Sequence, residues 1–311
     1  MALKHLAKHI THSTDVSRQS ALNHFAGGLL TDNLGSKFMS NATANQAKKA
    51  AVFKAMHDSS DIFVIPNPWD AGSARMMGNA GFKALATTSA GYAFSIGLGD
   101  GGITLEQKLA HCEDVCAATS LPVTADTENC FADDPEGVAE TVRRAAATGL
   151  VGCSVEDFVR EAPPTIYDFD HAVERVAAAV EAARALPFPF LITARAEGVL
   201  RRLGDLDDAI RRLQAFEKVG ADVLYTPGIK TIDEVKTVIG AVTKPVNVLA
   251  TPNMKVAELG QAGVRRISVG GALFRTAMTG FFDAMREISD KGTFTELSKA
   301  PTVADIVGAL K

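Results

Sequence analysis

Eight short apolar runs rich in β-branched residues recur along the chain from Asp61 onward: Ile62–Pro66, Ala84–Thr88, Pro122–Ala125, Val151–Val155, Phe190–Thr193, Val223–Tyr225, Val246–Leu249 and Ile267–Val269. They lack the polar alternation of a half-exposed strand, which is the pattern of a parallel sheet covered on both faces. Between them, Leu105–Ala118, Gly137–Ala147, Ala172–Ala185, Leu206–Val219 and Ile232–Val242 have the apolar period of helices. The same punctuation closes several helical stretches: Asn79-Ala80-Gly81, Ala147-Thr148-Gly149, Lys218-Val219-Gly220 and Gln261-Ala262-Gly263. A Gly there accepts the left-handed conformation that stops a helix. Eight such units predict an α/β fold of the (β/α)8 TIM-barrel type. An open dinucleotide-binding sheet would place GxGxxG after its first strand, and Ile65-Pro66-Asn67-Pro68-Trp69-Asp70 offers none.

Residues 1–40 break this rhythm, being rich in His, Ser, Thr and Asn without a sustained apolar period. They read as a loosely docked extension without chemistry. No continuous apolar segment suggests a signal peptide, and with Arg18 as the sole Arg and Asp15 and Asp32 present, a transit peptide fits poorly. His5, His9 and His12 would share one face of a helix, a spacing that metals use, but the extension reading is preferred. Residues 41–311 then form one barrel domain followed by C-terminal helices; a barrel takes ~250 residues, so the 311-residue length does not demand a second domain.

Composition narrows the function classes. With 32 basic and 36 acidic side chains the net charge is −4, which gives no basic footprint for nucleic acid. No apolar run approaches the ~18 residues of a membrane span. Four Cys are too few for a disulfide framework, so a reducing, cytoplasmic setting is expected, with the cysteines in the core.

Barrel chemistry collects where strands run into the following loops. Those positions carry Asn67, Trp69 and Asp70; Thr88, Ser89 and Gly91, with Asp100 on the Gly97–Gly102 loop; Asp126 and Glu128; Glu156 and Asp157; Arg195 and Glu197; Asn247 and Thr251; and Gly270-Gly271. Asp70 reads as the N-cap of the next helix. Asp126 and Glu156 close apolar strands, where a carboxylate is costly to bury unless it is paired or binds a metal. Several carboxylates converging on one Arg suggest a hard cation, Mg²⁺ or alternatively Mn²⁺, beside an anionic substrate clamped by Arg195. None of the seven His and no Lys ends a strand, which argues against a His₃ zinc site, a Ser-His-Asp triad and a Schiff base. Gly270-Gly271 before a helix weakly resembles a barrel phosphate site.

The segments Asn67-Pro68-Trp69-Asp70-Ala71-Gly72-Ser73-Ala74-Arg75, Thr87-Thr88-Ser89-Ala90-Gly91, Pro122-Val123-Thr124-Ala125-Asp126-Thr127-Glu128, Val155-Glu156-Asp157 and Thr193-Ala194-Arg195-Ala196-Glu197 resemble the isocitrate lyase/phosphoenolpyruvate mutase superfamily, in the same order. The resemblance runs from about Ala50 to Arg286. It implies a Mg²⁺-dependent barrel that cleaves or forms a C–C or P–C bond in small 2-oxo or 2-hydroxy carboxylates or phosphonates, through an enolate. Carried over, Asp126 is the main metal carboxylate, with Asp100 and Glu156 on metal-bound waters. Ser89, the Gly91 backbone and Arg195 hold the substrate carboxylate, with Asn247 also in the substrate set, and Trp69 walls the pocket. The helices after Gly271 are expected to exchange between subunits of a homodimer or homotetramer.

Two departures stand out. The family often has an acid two residues before the main Asp; here that place is Thr124, for which Glu128 could compensate. The loop Phe158-Val159-Arg160-Glu161-Ala162-Pro163-Pro164-Thr165 lacks both the Cys motif of the isocitrate lyases and the Lys and Asn of the mutases. The leading expectation is therefore a lyase or decarboxylase on an oxaloacetate-like acid. The alternatives are a P–C enzyme and a non-catalytic carboxylate-binding barrel.

Overall fold

A computed structural model describes residues 44–160 and 162–311. The extension read in residues 1–40, with His5, His9 and His12, lies outside the described residues, as does Glu161. A helix over 44–58 (α1) precedes the first strand. The alternation then runs β1 (Phe63–Ile65), α2 (Ala71–Asn79), β2 (Leu85–Ala86), α3 (Ser89–Ser95), α4 (Leu105–Ala118), β3 (Val123–Thr124), α5 (Pro135–Ala147) and β4 (Gly152–Glu156). A small antiparallel hairpin follows, β5 (Phe158–Val159) and β6 (Thr165–Ile166), before α6 (Phe169–Arg184) and β7 (Leu191–Arg195). Next come α7 (Gly198–Arg201), α8 (Leu206–Lys218), β8 (Val223–Tyr225), α9 (Ile232–Ala241), β9 (Val246–Leu249), α10 (Val256–Gln261) and β10 (Arg266–Ser268). Two longer-range elements end the chain, α11 (Ala272–Lys291) and α12 (Val303–Leu310).

The fold is α/β, built on a curled parallel sheet. Six strands pair in the order β1-β10-β9-β8-β7-β4, and β2 pairs with β3. Backbone hydrogen bonds carry the curl onward: Ala86 N–H donates to Pro66 O at 3.1 Å, and Ala125 N–H donates to Gly152 O at 3.0 Å. Each of the eight apolar runs of the sequence overlaps one of these parallel strands. Side chains alternate along each strand. Cys153, Val155, Ile192, Ala194, Val246, Val248 and Ile267 pack into the core. Ser154, Glu156, Thr193, Arg195, Asn247, Arg266 and Ser268 face a central cavity. Register aligns Glu156, Arg195, Tyr225, Asn247 and Arg266 in one row across five strands.

Local signals behave as their chemistry requires. Asp70 caps α2, accepting from Ser73 N–H at 2.7 Å in a reciprocal capping box. The four glycines read as helix stops all have positive φ, between 90° and 99°. The four cysteines are free; three are fully enclosed, and burial pushes the Cys116 and Cys130 thiols up to about 12 and about 11. Cys112, Cys130 and Cys153 are core residues, as expected, and half-buried Cys116 packs against the core. No helix of the described residues is long and apolar enough to cross a membrane.

Candidate active site

The strand ends surround a cavity of about 220 Å³. Its organising group is the Arg195 guanidinium at the end of β7. Arg195 donates from Nε and Nη2 to Glu197 Oε1 at 2.9 and 2.6 Å, and from Nη1 to Asp126 Oδ1 at 2.9 Å. Its Nη2 also lies 3.1 Å from Glu156 Oε2, and the guanidinium sits over the Tyr225 ring at 5.0 Å. Glu197, fully buried, takes a second cation from Arg201 Nε at 3.2 Å. Asp126 accepts a hydrogen bond from Ser89 Oγ at 2.9 Å. Burial alone would raise the Asp126 carboxyl, but Arg195, Lys108 and the Ser89 hydroxyl outweigh it and hold it down at about 2. Glu156 goes the other way. Burial, reinforced by the neighbouring Glu197 and Asp126, drives it well above the ordinary carboxylate range despite Arg195.

A second guanidinium closes the rim. Arg160 projects from the β5–β6 hairpin and donates from Nη1 to Asp100 Oδ2 at 3.3 Å; its Nε lies 3.2 Å from Glu128 Oε2 and its Nη2 3.8 Å from Glu156 Oε1. Its side chain lies across Gly101, where an added Cβ would sit 2.4 Å from Arg160 Cδ. Burial, opposed by Arg160, raises the Glu128 carboxyl. Glu128 is held in a left-handed conformation with φ 51°. That loop is tied down by Arg175, whose guanidinium donates to the carbonyls of Asn129, Ala132, Asp133 and Glu156.

The structure brings Ser89, Asp100, Asp126, Glu156, Arg195 and Asn247 to one cavity. Glu128 lines an adjoining depression with Arg160. Two residues of the expected set stand elsewhere. Trp69 is not in the cavity lining; it packs edge-on against Phe274 at 5.4 Å. Gly91 is also outside the lining, and its N–H is already used, capping α3 through Thr88 Oγ1 at 3.2 Å. The Gly270 amide, part of the weak phosphate signal, is likewise engaged, donating to Asn67 Oδ1 at 2.8 Å. Sequence reasoning missed Arg160, Arg201, Arg266 and Lys108. Arg160 sits in a loop and Lys108 on a helix, and Arg266 opens its strand rather than ending it. Lys108 is wholly buried and reaches Thr87 Oγ1 at 2.9 Å, the same oxygen that accepts from Asp126 N–H at 3.2 Å.

Among the described residues, no three Asp, Glu, His or Cys side chains are placed around a common metal position; Arg160 and Arg195 stand between the carboxylates. The donor chemistry nonetheless suits a hard divalent cation. The cluster is all oxygen, and Glu128 Oε1 and Glu156 Oε1 are buried without a hydrogen-bond partner. An ion that drew on them would need the long, quarter-exposed Arg160 side chain to give way.

A sequence model of phosphoenolpyruvate phosphomutase matches residues 53–289, which spans the whole sheet and this site. The chain belongs to the phosphoenolpyruvate phosphomutase family. It thereby falls in the isocitrate lyase/phosphoenolpyruvate mutase superfamily. A solved structure from Burkholderia cenocepacia J2315, carrying only the broad designation lyase/mutase, is 51% identical with TM-score 0.82, covering 85% of this chain and 96% of that one. An oxaloacetate decarboxylase of Rhodopseudomonas palustris strain TIE-1 is 27% identical over 60% of this chain and 66% of its own. Phosphonopyruvate hydrolase, solved with oxalate and Mg²⁺, has TM-score 0.75 over 84% of this chain and 94% of its own; at 22% identity that likeness is one of fold. The matching family model thus carries the name of a phosphomutase, while a relative that the chain resembles is an oxaloacetate decarboxylase.

Proposed function

We propose that this family member is a Mg²⁺-dependent carbon–carbon lyase or decarboxylase acting on a small 2-oxo or 2-hydroxy carboxylate of the oxaloacetate type. The observation that carries the proposal is the Arg195 knot, in which one buried guanidinium is held by Glu197, Asp126 and Glu156 at the wall of a small cavity. Its volume of about 220 Å³ lies below the ~300–1,000 Å³ typical of drug-sized ligands. It suits a short acid.

Asp126, Glu156, Asp100 and Glu128 are the residues that would hold the ion, with Mn²⁺ as the alternative to Mg²⁺. Bound there, it supplies a Lewis acid for the charge that develops as the enolate forms. The protein's own contribution is preorganisation. Glu197 fixes the plane of Arg195, so its positive charge is aimed into the cavity before substrate arrives. Lys108 and Thr87 set the Asp126 backbone, and Ser89 sets its carboxylate. When the C–C bond breaks, CO₂ leaves and the electron pair stays on the three-carbon fragment, where Arg195 stabilises it. The Phe158–Ile166 hairpin carries no Cys to relay a proton, which suits decarboxylation better than cleavage with a dedicated loop acid.

The same reading takes the curled sheet as a closed (β/α)8 barrel formed by residues 41–311, with the hydrogen bonds at Ala86 and Ala125 supporting closure. It places the enzyme in the cytoplasm as a homodimer or homotetramer exchanging its C-terminal helices. Phe281, Phe282, Met285 and Ile288 of α11 are exposed apolar residues in the isolated chain, which supports a covered face. Light scattering on the full chain tests assembly.

Activity is tested by incubating the protein with Mg²⁺ and a panel of 2-oxo diacids, following pyruvate, and with phosphonopyruvate, following phosphorus NMR. Saturable pyruvate release from a diacid supports the proposal. A shift of the phosphorus resonance alone would assign P–C chemistry, and turnover of neither would leave a carboxylate-binding barrel.

A further inference from the structure

Arg266 is 95% buried and lines the same cavity as Asp126 and Arg195. Its three hydrogen-bond partners are neutral. Nε donates to Asn247 Oδ1 at 2.8 Å, Nη2 to Thr193 Oγ1 at 3.1 Å, and Nη1 faces His57 Nε2 at 3.4 Å. His57 Nδ1 is engaged with Phe53 O at 2.8 Å, so Nε2 serves as the acceptor. A guanidinium has five N–H groups, and two of these remain. Among the described residues no carboxylate lies within ion-pair distance of it, and its guanidinium pKa is lowered to about 10 by burial and by Arg195.

The other arginines of this region differ in kind. Arg195 is met by three carboxylates, and Arg160 by Asp100, Glu128 and Glu156. Arg175 is equally buried without an acid, but four backbone carbonyls and the Tyr167 face at 4.0 Å surround it, and it does not line the cavity. Arg266 alone combines a missing counter-charge with an open side toward the cavity. Burying an uncompensated charge costs several kcal/mol, and an anion entering from the mouth would relieve both that cost and the repulsion from Arg195.

We infer that the inner end of the cavity is an anion subsite in which Arg266, framed by Thr193, Asn247 and Ser268, receives a second anionic group, so that the substrate is a short dianion. The inference rests on the carboxylate-site reading above and adds which acids it selects. The first carboxylate stays at the rim with Ser89 and Arg195, and the second carboxylate or phosphonate lies against Arg266. Arg266 then acts as a specificity residue for the length and charge of the acid.

The test compares ligand pairs that differ only in the second anion, malate against lactate and phosphonopyruvate against pyruvate, by calorimetry on the full chain with saturating Mg²⁺. Malate or phosphonopyruvate should bind about 30-fold more tightly than its partner. The larger ratio identifies the second group as carboxylate or phosphonate. In Arg266→Gln the ratio should collapse to within about threefold while lactate and pyruvate keep their wild-type affinity. Arg266→Lys keeps the charge without the planar fork and should retain about a third of the wild-type ratio; it decides the matter with the wild-type ratio if the Gln variant does not fold. A wild-type ratio near one, an unchanged ratio in folded Arg266→Gln, or equal losses for both members of a pair would overturn the subsite. No binding of lactate or pyruvate by wild type would instead overturn the carboxylate-site reading on which it rests.

Discussion

Arg175→Met removes a group that the site depends on without touching the cavity. The wild-type side chain is 99% buried and makes four hydrogen bonds of 2.5–3.1 Å to backbone carbonyls. Three of those carbonyls, on Asn129, Ala132 and Asp133, belong to the loop after β3, and the fourth belongs to Glu156 at the end of β4. Methionine fills much of the volume but offers no donor. His171 Nε2 still reaches Asp133 O at 2.9 Å, so three carbonyls lose their partner. At about 1–3 kcal/mol each, the sum has a ceiling of about 9 kcal/mol before the loop relaxes or admits water. Loss of the stack on Tyr167 adds about 1 kcal/mol. With relaxation the net loss should be about 4–6 kcal/mol, near the 3–5 kcal/mol seen when a buried charged partner is removed. At roughly 2–4 °C per kcal/mol for a chain of this size, the melting temperature should fall by about 10–20 °C. The same loop holds Glu128, Cys130 and Phe131 at φ of 51°, 61° and 54°, conformations that relax once the tie is cut. Mn²⁺ affinity should therefore fall along with stability. Urea denaturation followed by circular dichroism, with Mn²⁺ titration of the folded fraction, reads both. A stability loss below about 1 kcal/mol, or a large loss with unchanged Mn²⁺ binding, would refute this account of the loop.

Arg160→Gln removes the cation between Glu128 and Glu156, and Mn²⁺ affinity measured by electron paramagnetic resonance should rise about tenfold; unchanged or weaker binding would show that Arg160 helps to hold the ion. His57 is pressed from its ordinary 6.5 to about 3 by burial and by Arg266. The unfolded chain therefore takes up a proton near pH 6.5 that the folded chain refuses until about pH 3, and stability should fall by about 1.4 kcal/mol per pH unit across that window. His57→Gln should remove that one-proton share of the slope in pH-dependent denaturation. Gly152→Ala would place a Cβ 2.5 Å from Leu191 O across the β4–β7 pair. It should cost more than about 3 kcal/mol or yield insoluble protein, whereas a wild-type melting temperature would contradict the tight register.

Much of this architecture was legible because the parallel strands form short, largely apolar runs and their helices end in Gly. Glu156 and Arg195 stand out as charged residues at strand ends that core packing alone would not place there. The β5–β6 hairpin escaped notice because two-residue strands carry no periodicity. Arg160 therefore looked like an ordinary loop residue, although its length lets it reach three carboxylates. Arg266 escaped for another reason. Barrel chemistry is expected at strand C-termini, whereas this long side chain at the start of β10 reaches the same cavity from below. Trp69 and Gly91 show the reverse limit, since a motif gives position along the strand but not which way a ring turns or whether an amide is already spent on a helix cap.

In the proposed function the acidic cluster around Arg195 holds a divalent cation and supports decarboxylation of a short oxo-diacid. The most direct test is pyruvate release from oxaloacetate by wild type and Asp126→Asn, corrected for the protein-free Mg²⁺ rate, with and without a chelator. Wild type should show saturable release, abolished by the chelator and lowered about 100-fold or more in a folded Asp126→Asn protein. Release at the protein-free rate from oxaloacetate and from every other 2-oxo diacid, or wild-type turnover by Asp126→Asn, would contradict that function.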